Sequence, residues 1–371
     1  MIQEREENPH YLTDQLITCL GNKRALLPFI GSAITDISRS MNKEKIRFFD
    51  VFSGSGIVSR YARKQTSLII ANDLEPYAEI INRCYLSSRQ EIENPAFVAA
   101  HGEIIQKIQN NPLEPGIISA HYAPNNDHAI LPGERVFYTN RNAQFIDTAR
   151  KAISLVDPQW KNLLLAPLLA QASVHANTAG IFKGFYKNRD TGVGQFGGKN
   201  GDALSRITGE IQLPLPVTSN FPVESLVLRG DANKICHNAP PVDIAYLDPP
   251  YNQHPYGSNY FMLNLIVRYK EPQSMSPVSG IPPDWQRSQY NRKRDSAQAL
   301  EDLIANLKTR YILVSFNSEG FISRETMESI LSKHGEVTIR EASYNTFRGS
   351  RNLRNRKPHV TEFLFIVKKK T

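Results

Sequence analysis

Phe48-Phe49-Asp50-Val51-Phe52-Ser53-Gly54-Ser55-Gly56 is an apolar run that opens directly into a glycine-punctuated turn. After it, Ile57 to Lys64 predicts a helix, and a second apolar run, Leu68-Ile69-Ile70-Ala71, ends in Asn72-Asp73. The order strand, glycine loop, helix, strand, acid predicts an α/β nucleotide-binding unit. Glycines let the backbone approach a ligand closely, and an acid at the tip of the second strand can bind two ribose hydroxyls. In the pattern G-x-G-x-x-G the third glycine is replaced by Ser59, and no Walker lysine follows the loop. Hydride transfer and ATP hydrolysis therefore lose ground. A ligand with an adenosine but no phosphates, such as S-adenosylmethionine, suits this loop.

About two hundred residues later, the apolar run Val242-Asp243-Ile244-Ala245-Tyr246-Leu247 ends in Asp248-Pro249-Pro250-Tyr251. An exocyclic amine on a base is a poor nucleophile because its lone pair is delocalised into the ring, so a catalyst must bind its N–H groups and pin the nitrogen. Asp248 and the Pro249 carbonyl are two acceptors for that task, the prolines (Pro249 and Pro250) fix the backbone, and Tyr251 offers a flat face to an extruded base. A strand ending in a proline-rich turn would also read this way. Placed after the glycine loop, the tetrapeptide favours amine methylation.

With these elements in this order, the chain resembles the D12 class of site-specific DNA adenine-N6 methyltransferases, the alpha-ordered group in which the cofactor half precedes a DNA-recognition insertion and then the catalytic half. Cys19-Leu20-Gly21-Asn22-Lys23-Arg24-Ala25-Leu26-Leu27 is similar to that family's N-terminal cofactor motif, with Cys19 where an aromatic residue is common. The resemblance implies that Gly21, Asn22 and Lys23 lie near the methionine part of S-adenosylmethionine. It implies further cofactor contacts from Asp50, Phe52, Ser53, Gly54, Ser55, Gly56, Asp73 and Leu74, and from Asp231 and Ala232 after Leu226-Val227-Leu228-Arg229-Gly230. The loop from Tyr251 to Tyr260 resembles the polar, aromatic loop that relatives place after the catalytic tetrapeptide. Tyr311 to Gly320 and His359 to Val367 resemble the family's later strands. These motifs cover residues 11 to 90 and 225 to 371.

The implied fold is α/β: a Rossmann-like S-adenosylmethionine-dependent methyltransferase sheet with a mainly helical DNA-recognition insertion. Residues 1–90 and 224–371 would form the catalytic domain and 91–223 an inserted target-recognition subdomain, with helices expected at Ala143 to Val156 and Leu163 to Val174. The implied function is methylation of a flipped adenine in double-stranded DNA as the modification component of a restriction-modification system, with any cognate endonuclease acting separately. N4 of cytosine, an RNA base or a protein amide presents a related amine, and a DNA-binding module without catalysis would share the charge pattern.

Lys and Arg outnumber Asp and Glu by 44 to 36, a formal net charge of +8, which favours a polyanionic partner. Arg292 sits in a basic stretch beside Arg287, Lys293 and Arg294, and Arg348 and Arg351 open another that continues through Arg354, Arg356 and Lys357. Asn177 to Arg189 mixes amides, aromatics and bases, so Lys183, Tyr186, Lys187 and Arg189 are candidate DNA contacts, together with Asn259 and Tyr260. Solvated loops are the plainer reading of each cluster. The charged start of the chain has no apolar signal core, and no stretch reaches bilayer length, so a cytoplasmic protein with no membrane partner is expected. Cys19, Cys84 and Cys236 form no CxxC pair, and none follows a proline, which disfavours a metal site and covalent attack on cytosine. A monomer or weak dimer is expected.

Overall fold

The computed structural model describes residues 6–14, 16–17, 21–198, 201–345 and 359–370. Among the described residues, seven strands form one sheet in the order β3-β2-β1-β4-β5-β7-β6. They are β1 (Ile46–Asp50), β2 (Thr66–Asp73), β3 (Glu224–Arg229), β4 (Val242–Leu247), β5 (Thr309–Asn317), β6 (Gly335–Asn345) and β7 (His359–Lys369). The first five pair in parallel, whereas β7 runs antiparallel to both β5 and β6. This mostly parallel sheet with helices on both faces is the Rossmann-like methyltransferase sheet that the resemblance implied.

Alternation along the strands explains why the sheet is covered twice. Phe49, Ala245, Ile312 and Phe365 face one layer, in which helices Ala232–Asn238, Ser296–Asn306 and Arg324–His334 pack. Their neighbours Phe48, Ile244, Leu313 and Leu364 face the other, under helices Leu27–Ser40 and Ile57–Ala62. Strands buried on both faces read as continuous apolar runs, as the sequence does here. Each fully buried Ile, Leu or Phe contributes about 1.5–3 kcal/mol relative to exposure.

Between β2 and β3 the chain is mainly helical. Its long helices, Pro95–Asn110, Asn140–Leu155 and Pro158–Val174, start on Asn94, Thr139 and Asp157 side-chain caps. Their core is continuous with helix Pro76–Tyr85 and with Tyr260 to Ile266, so the segment is seated directly on the sheet-bearing half. Lys187 and Gly194 form an isolated antiparallel bridge in a hairpin-like loop after these helices. Among the described residues, no helix is long and apolar enough to cross a membrane.

The topology fixes where a site can form. From β1 the chain builds outward to β2 and β3, then returns to place β4 on the other side of β1. Such a reversal opens a crevice outside the carboxyl ends of the two central strands. Asp50 pairs with Tyr246 across β1 and β4, so Asp50 and Asp248 both stand at that crevice.

Candidate active site

The loop after β1 is held in shape by its own backbone and by one asparagine. Gly56 N donates to Ser53 O at 2.7 Å, and Ser53 N to Asn72 O at 2.8 Å. Asn82 Nδ2 donates to Ser53 Oγ and Gly54 O, both at 3.1 Å. Gly56 has φ +72°, and a Cβ there would stand 2.4 Å from Asn82 Oδ1, so the position requires glycine twice over. Asp73, at the end of β2, accepts from Gly54 N at 2.8 Å and Glu75 N at 2.9 Å. Burial raises its carboxyl pKa while these backbone donors pull it down.

A cavity with about 940 Å³ between its walls, open mouth included, lies over this loop. Gly21, Asn22, Lys23, Asp50, Phe52, Ser53, Gly54, Ser55, Asp73, Leu74, Asp231 and Ala232 all line it, with Asp248 and Pro250 on the same wall. Of the residues expected at the cofactor, Gly56 alone lies behind the lining, as the cap of helix Ile57–Ala62. Asp231 caps helix Ala232–Asn238 by accepting from Asn233 N at 2.9 Å. Cys19 and Leu20 of the N-terminal motif lie outside the described residues.

Asp50 is 1 % exposed; its Oδ2 accepts from Ser59 Oγ at 2.8 Å, while its Oδ1 has no partner among the described residues. Burial pushes its carboxyl up to about 7, opposed by the Ser59 hydrogen bond and reinforced by Asp248 and Asp73. A buried, unpartnered carboxylate oxygen on a cavity wall fits a cationic ligand group.

Asp248 shares a buried cation with a residue from the far end of the chain. Lys23 Nζ lies 3.1 Å from Asp248 Oδ1 and 2.8 Å from Glu362 Oε1. Lys23 is 4 % and Glu362 1 % exposed, and Ser315 Oγ also donates to Glu362 Oε1. Burial works against the Lys23 charge, but Asp248 and Glu362 outweigh it and hold the ammonium protonated well above the usual lysine range. Burial raises the Asp248 carboxyl, Lys23 lowers it and Glu362 raises it again, leaving it pushed up to about 6.

Tyr251 packs edge-on against Phe316, and its carbonyl accepts from Phe321 N at 3.0 Å. Its hydroxyl and that of Tyr256 both approach Gly21, where a Cβ would lie 3.6 Å from each. Pro249 is buried beneath this turn.

The expected DNA contacts divide. Lys187 and Arg189 are exposed, Lys183 and Tyr186 half-buried, and the Lys187 ammonium lies 5.0 Å over the Phe185 ring. Arg292 is exposed and pairs with Asp295 at 3.6 Å. Asn259 and Tyr260 are instead buried, at 2 % and 0 % exposure; Tyr260 stacks on Tyr256 and leans on Tyr77. At that burial they pack against the loop that carries Tyr256 and present no surface to a duplex. Arg348 and Arg351 lie outside the described residues.

Sequence reasoning gave no role to Glu362, Glu75, Gln286, Ser288, Tyr290 or Asn291, and placed Tyr256 only within the loop that follows the tetrapeptide. All but Glu362 line the cavity. Tyr290 packs edge-on against Phe52 at 5.1 Å, and Asn291 Nδ2 donates to Asn252 O at 2.8 Å, tying this segment to the loop after Asp248. The residues around Tyr290 have no periodicity to announce them. Glu362 did leave a signal: it is the lone acid within the apolar run Phe363 to Val367 and its approach, where a charge must be paired. Among the described residues, no His, Cys, Asp and Glu side chains gather as a metal site.

A family model described as D12 class N6 adenine-specific DNA methyltransferase matches residues 20–330. The chain is 30% identical over 367 residues to the type II methyltransferase M.NlaIII of Neisseria lactamica, covering 94% of this chain and 98% of that one. It is 28% identical to the type II methyltransferase M.CviAII of Paramecium bursaria Chlorella virus 1, covering 94% and 97%. Against the type II methyltransferase M.FokI of Planomicrobium okeanokoites it is 26% identical over 92% of this chain, which spans 52% of that relative.

Proposed function

The chain belongs to the D12 class N6 adenine-specific DNA methyltransferases, and on that premise we propose that it transfers the methyl group of S-adenosylmethionine to N6 of an adenine flipped out of double-stranded DNA. We assign it as the modification component of a type II restriction-modification system, working in the cytoplasm as a monomer or weak dimer beside a separate endonuclease. The observation that carries the reading is the common wall: Asp50 and Asp248, at the tips of adjacent parallel strands, face one cavity.

The residues present fit the methyl donor. Asp50 Oδ1 would take its ammonium, Asp73 its ribose hydroxyls, and Phe52, Leu74, Asp231 and Ala232 the region of its adenine. Gly21, Asn22 and Lys23 would stand along its methionine end, and Ser53, Gly54 and Ser55 would pass beneath it, shaped by Gly56. When bound, S-adenosylmethionine supplies a methyl group on a positively charged sulfur, which leaves with the bonding electron pair.

The protein's task is then to place the amine. Asp248 and the Pro249 carbonyl accept its two N–H groups, which turns the nitrogen toward the cavity, and Pro250 keeps the turn rigid. Tyr251 holds the ring by its face. The amine releases one proton after gaining the methyl group. Positioning supplies most of the acceleration under this scheme. Lys183, Tyr186, Lys187, Arg189 and Arg292 would meet the duplex, with residues 91–223 as the target-recognition part and 1–90 with 224–371 as the catalytic part. The excess of positive charge supports a polyanionic partner.

Incubation with labelled S-adenosylmethionine and mixed-sequence duplex DNA should yield N6-methyladenine confined to one short sequence. N4-methylcytosine, or label entering only RNA or protein, would remove the reading.

Asp50 makes donor binding pH-dependent. Its carboxyl, pushed up to about 7 in the ligand-free protein, is protonated below that pH and ionised above it. An ammonium is bound by the ionised form, so donor affinity should rise as pH increases to about 7 and then level off. Binding at lower pH should release a proton. Calorimetry in buffers of differing ionisation enthalpy reads both effects, and Asp50→Asn should flatten the profile and weaken binding.

A further inference from the structure

Two carboxylates share one buried ammonium beside the amine-holding residue, although a single partner would neutralise it. Glu362 is the nearer of the two, at 2.8 Å against 3.1 Å for Asp248. It comes from β7, opposite Asn317 of β5, and Ser315, on the same face of β5, donates to the oxygen that meets Lys23. At 1 % exposure Glu362 has almost no water to solvate it. As a device for stability alone this is a poor choice, because a well-packed apolar side chain commonly serves as well as a buried ion pair or better.

We propose that Glu362 is a positioning residue for amine methylation: by holding the Lys23 ammonium, it leaves Asp248 with the net negative charge of the group and with Oδ2 as an acceptor for the substrate amine. The inference rests on the role of Asp248 given above. With Lys23 and Asp248 alone the pair would be neutral. Adding Glu362 gives the trio a net charge of −1, directed at the place where positive charge grows on the amine nitrogen as its bond to the methyl group forms. A fixed charge of the right sign in a poorly solvated site acts strongly on such a step. Ser315 sets which way the Glu362 carboxylate points, and Lys23 transmits that setting to Asp248.

Among the described residues, Asp50 on β1, Tyr246 on β4 and Tyr251 in the turn also feel the charge of Asp248, and Tyr256 lines the same cavity. Asp50 would be occupied by the donor's ammonium at saturation, and Tyr246 and Tyr251 are raised above their ordinary range, chiefly by burial, so they stay neutral near pH 6. The acid limb of kcat at saturating donor therefore reports Asp248, whose carboxyl Glu362 raises.

The test compares kcat, donor KM and the pH profile of kcat on duplex DNA for the wild type, Glu362→Gln, Glu362→Asp and Ser315→Ala. Glu362→Gln should lower kcat by roughly ten-fold or more with little change in donor KM. Its acid limb should move to lower pH, because the amide no longer opposes ionisation of Asp248. Glu362→Asp should recover part of the activity and return the limb toward the wild type, and Ser315→Ala should shift both readouts in the Gln direction by less. An unchanged kcat, or a fall in kcat without movement of the limb, would overturn the proposal. Should Glu362→Gln fail to fold, the same two readouts on Ser315→Ala decide. Active wild type with indifferent variants removes this inference alone, whereas a wild type that methylates no adenine removes the functional reading and this inference with it.

Discussion

Asp248→Ala should lose DNA methylation by on the order of 10³-fold or more while still binding the methyl donor. The substitution removes the acceptor for the substrate amine and the negative charge beside it. It does not strand a buried cation, because Lys23 keeps Glu362 at 2.8 Å. The variant should therefore fold, and donor affinity measured by calorimetry should stay within a few-fold of the wild type. Asp248→Asn retains one carbonyl acceptor without the charge and should fall between the two. Turnover of Asp248→Ala within about ten-fold of wild type would remove Asp248 from the role of amine acceptor.

Lys23→Met should be the more damaging change to the fold. Removing one partner of a buried ion group typically costs about 3–5 kcal/mol, because the charge left behind has neither water nor a counterion. Here two carboxylates, Asp248 and Glu362, would be left facing each other's charge. Without Lys23 to oppose burial and the charge of Glu362, the Asp248 carboxyl would rise further, so the folded variant would hold a proton that the unfolded chain releases in the ordinary carboxylate range. Stability conferred by such raised groups is present at low pH and is lost as pH rises through the raised values. The deficit in melting temperature relative to wild type should therefore be largest above pH 7 and shrink on acidification. A deficit independent of pH would show that Lys23 contributes only by packing. Methylation should also fall steeply near neutrality, since Asp248 would be protonated where the wild-type residue is ionised.

The two effects separate the duties of one cluster. Under the proposed function Asp248 would face the substrate without being needed by the fold, whereas Lys23 would support both, because its ammonium is the only cation between the two carboxylates among the described residues. That coupling also explains why the Asp248 carboxylate can sit in a poorly solvated turn and still ionise near neutral pH: burial alone would raise it further, and Lys23 holds it to about 6.

The amino-acid sequence by itself determined the sheet-bearing half and the family. The apolar runs, the glycines at the β1 turn and the Asp-Pro-Pro-Tyr turn after β4 are contiguous, and their consequences are local: strand periodicity, a left-handed backbone at Gly56, a fixed acceptor geometry at Asp248. Asp50, Asp73 and Asp231 were legible for the same reason, each lying at or just after a strand end, whereas Lys23 was legible only through the resemblance of its segment to the family's N-terminal motif. The tertiary structure alone decided that Glu362 reaches Lys23, because this depends on the antiparallel register that sets Asn317 against Glu362. It decided that Asn259 and Tyr260 are buried, since the rings and helices that cover them come from remote segments. It also brought Gln286 to Asn291 over the cavity, through contacts with Phe52 and Asn252 that no spacing in that aperiodic stretch encodes. Local patterns are written in neighbouring residues, whereas the partner of a buried charge is chosen by how distant elements pack.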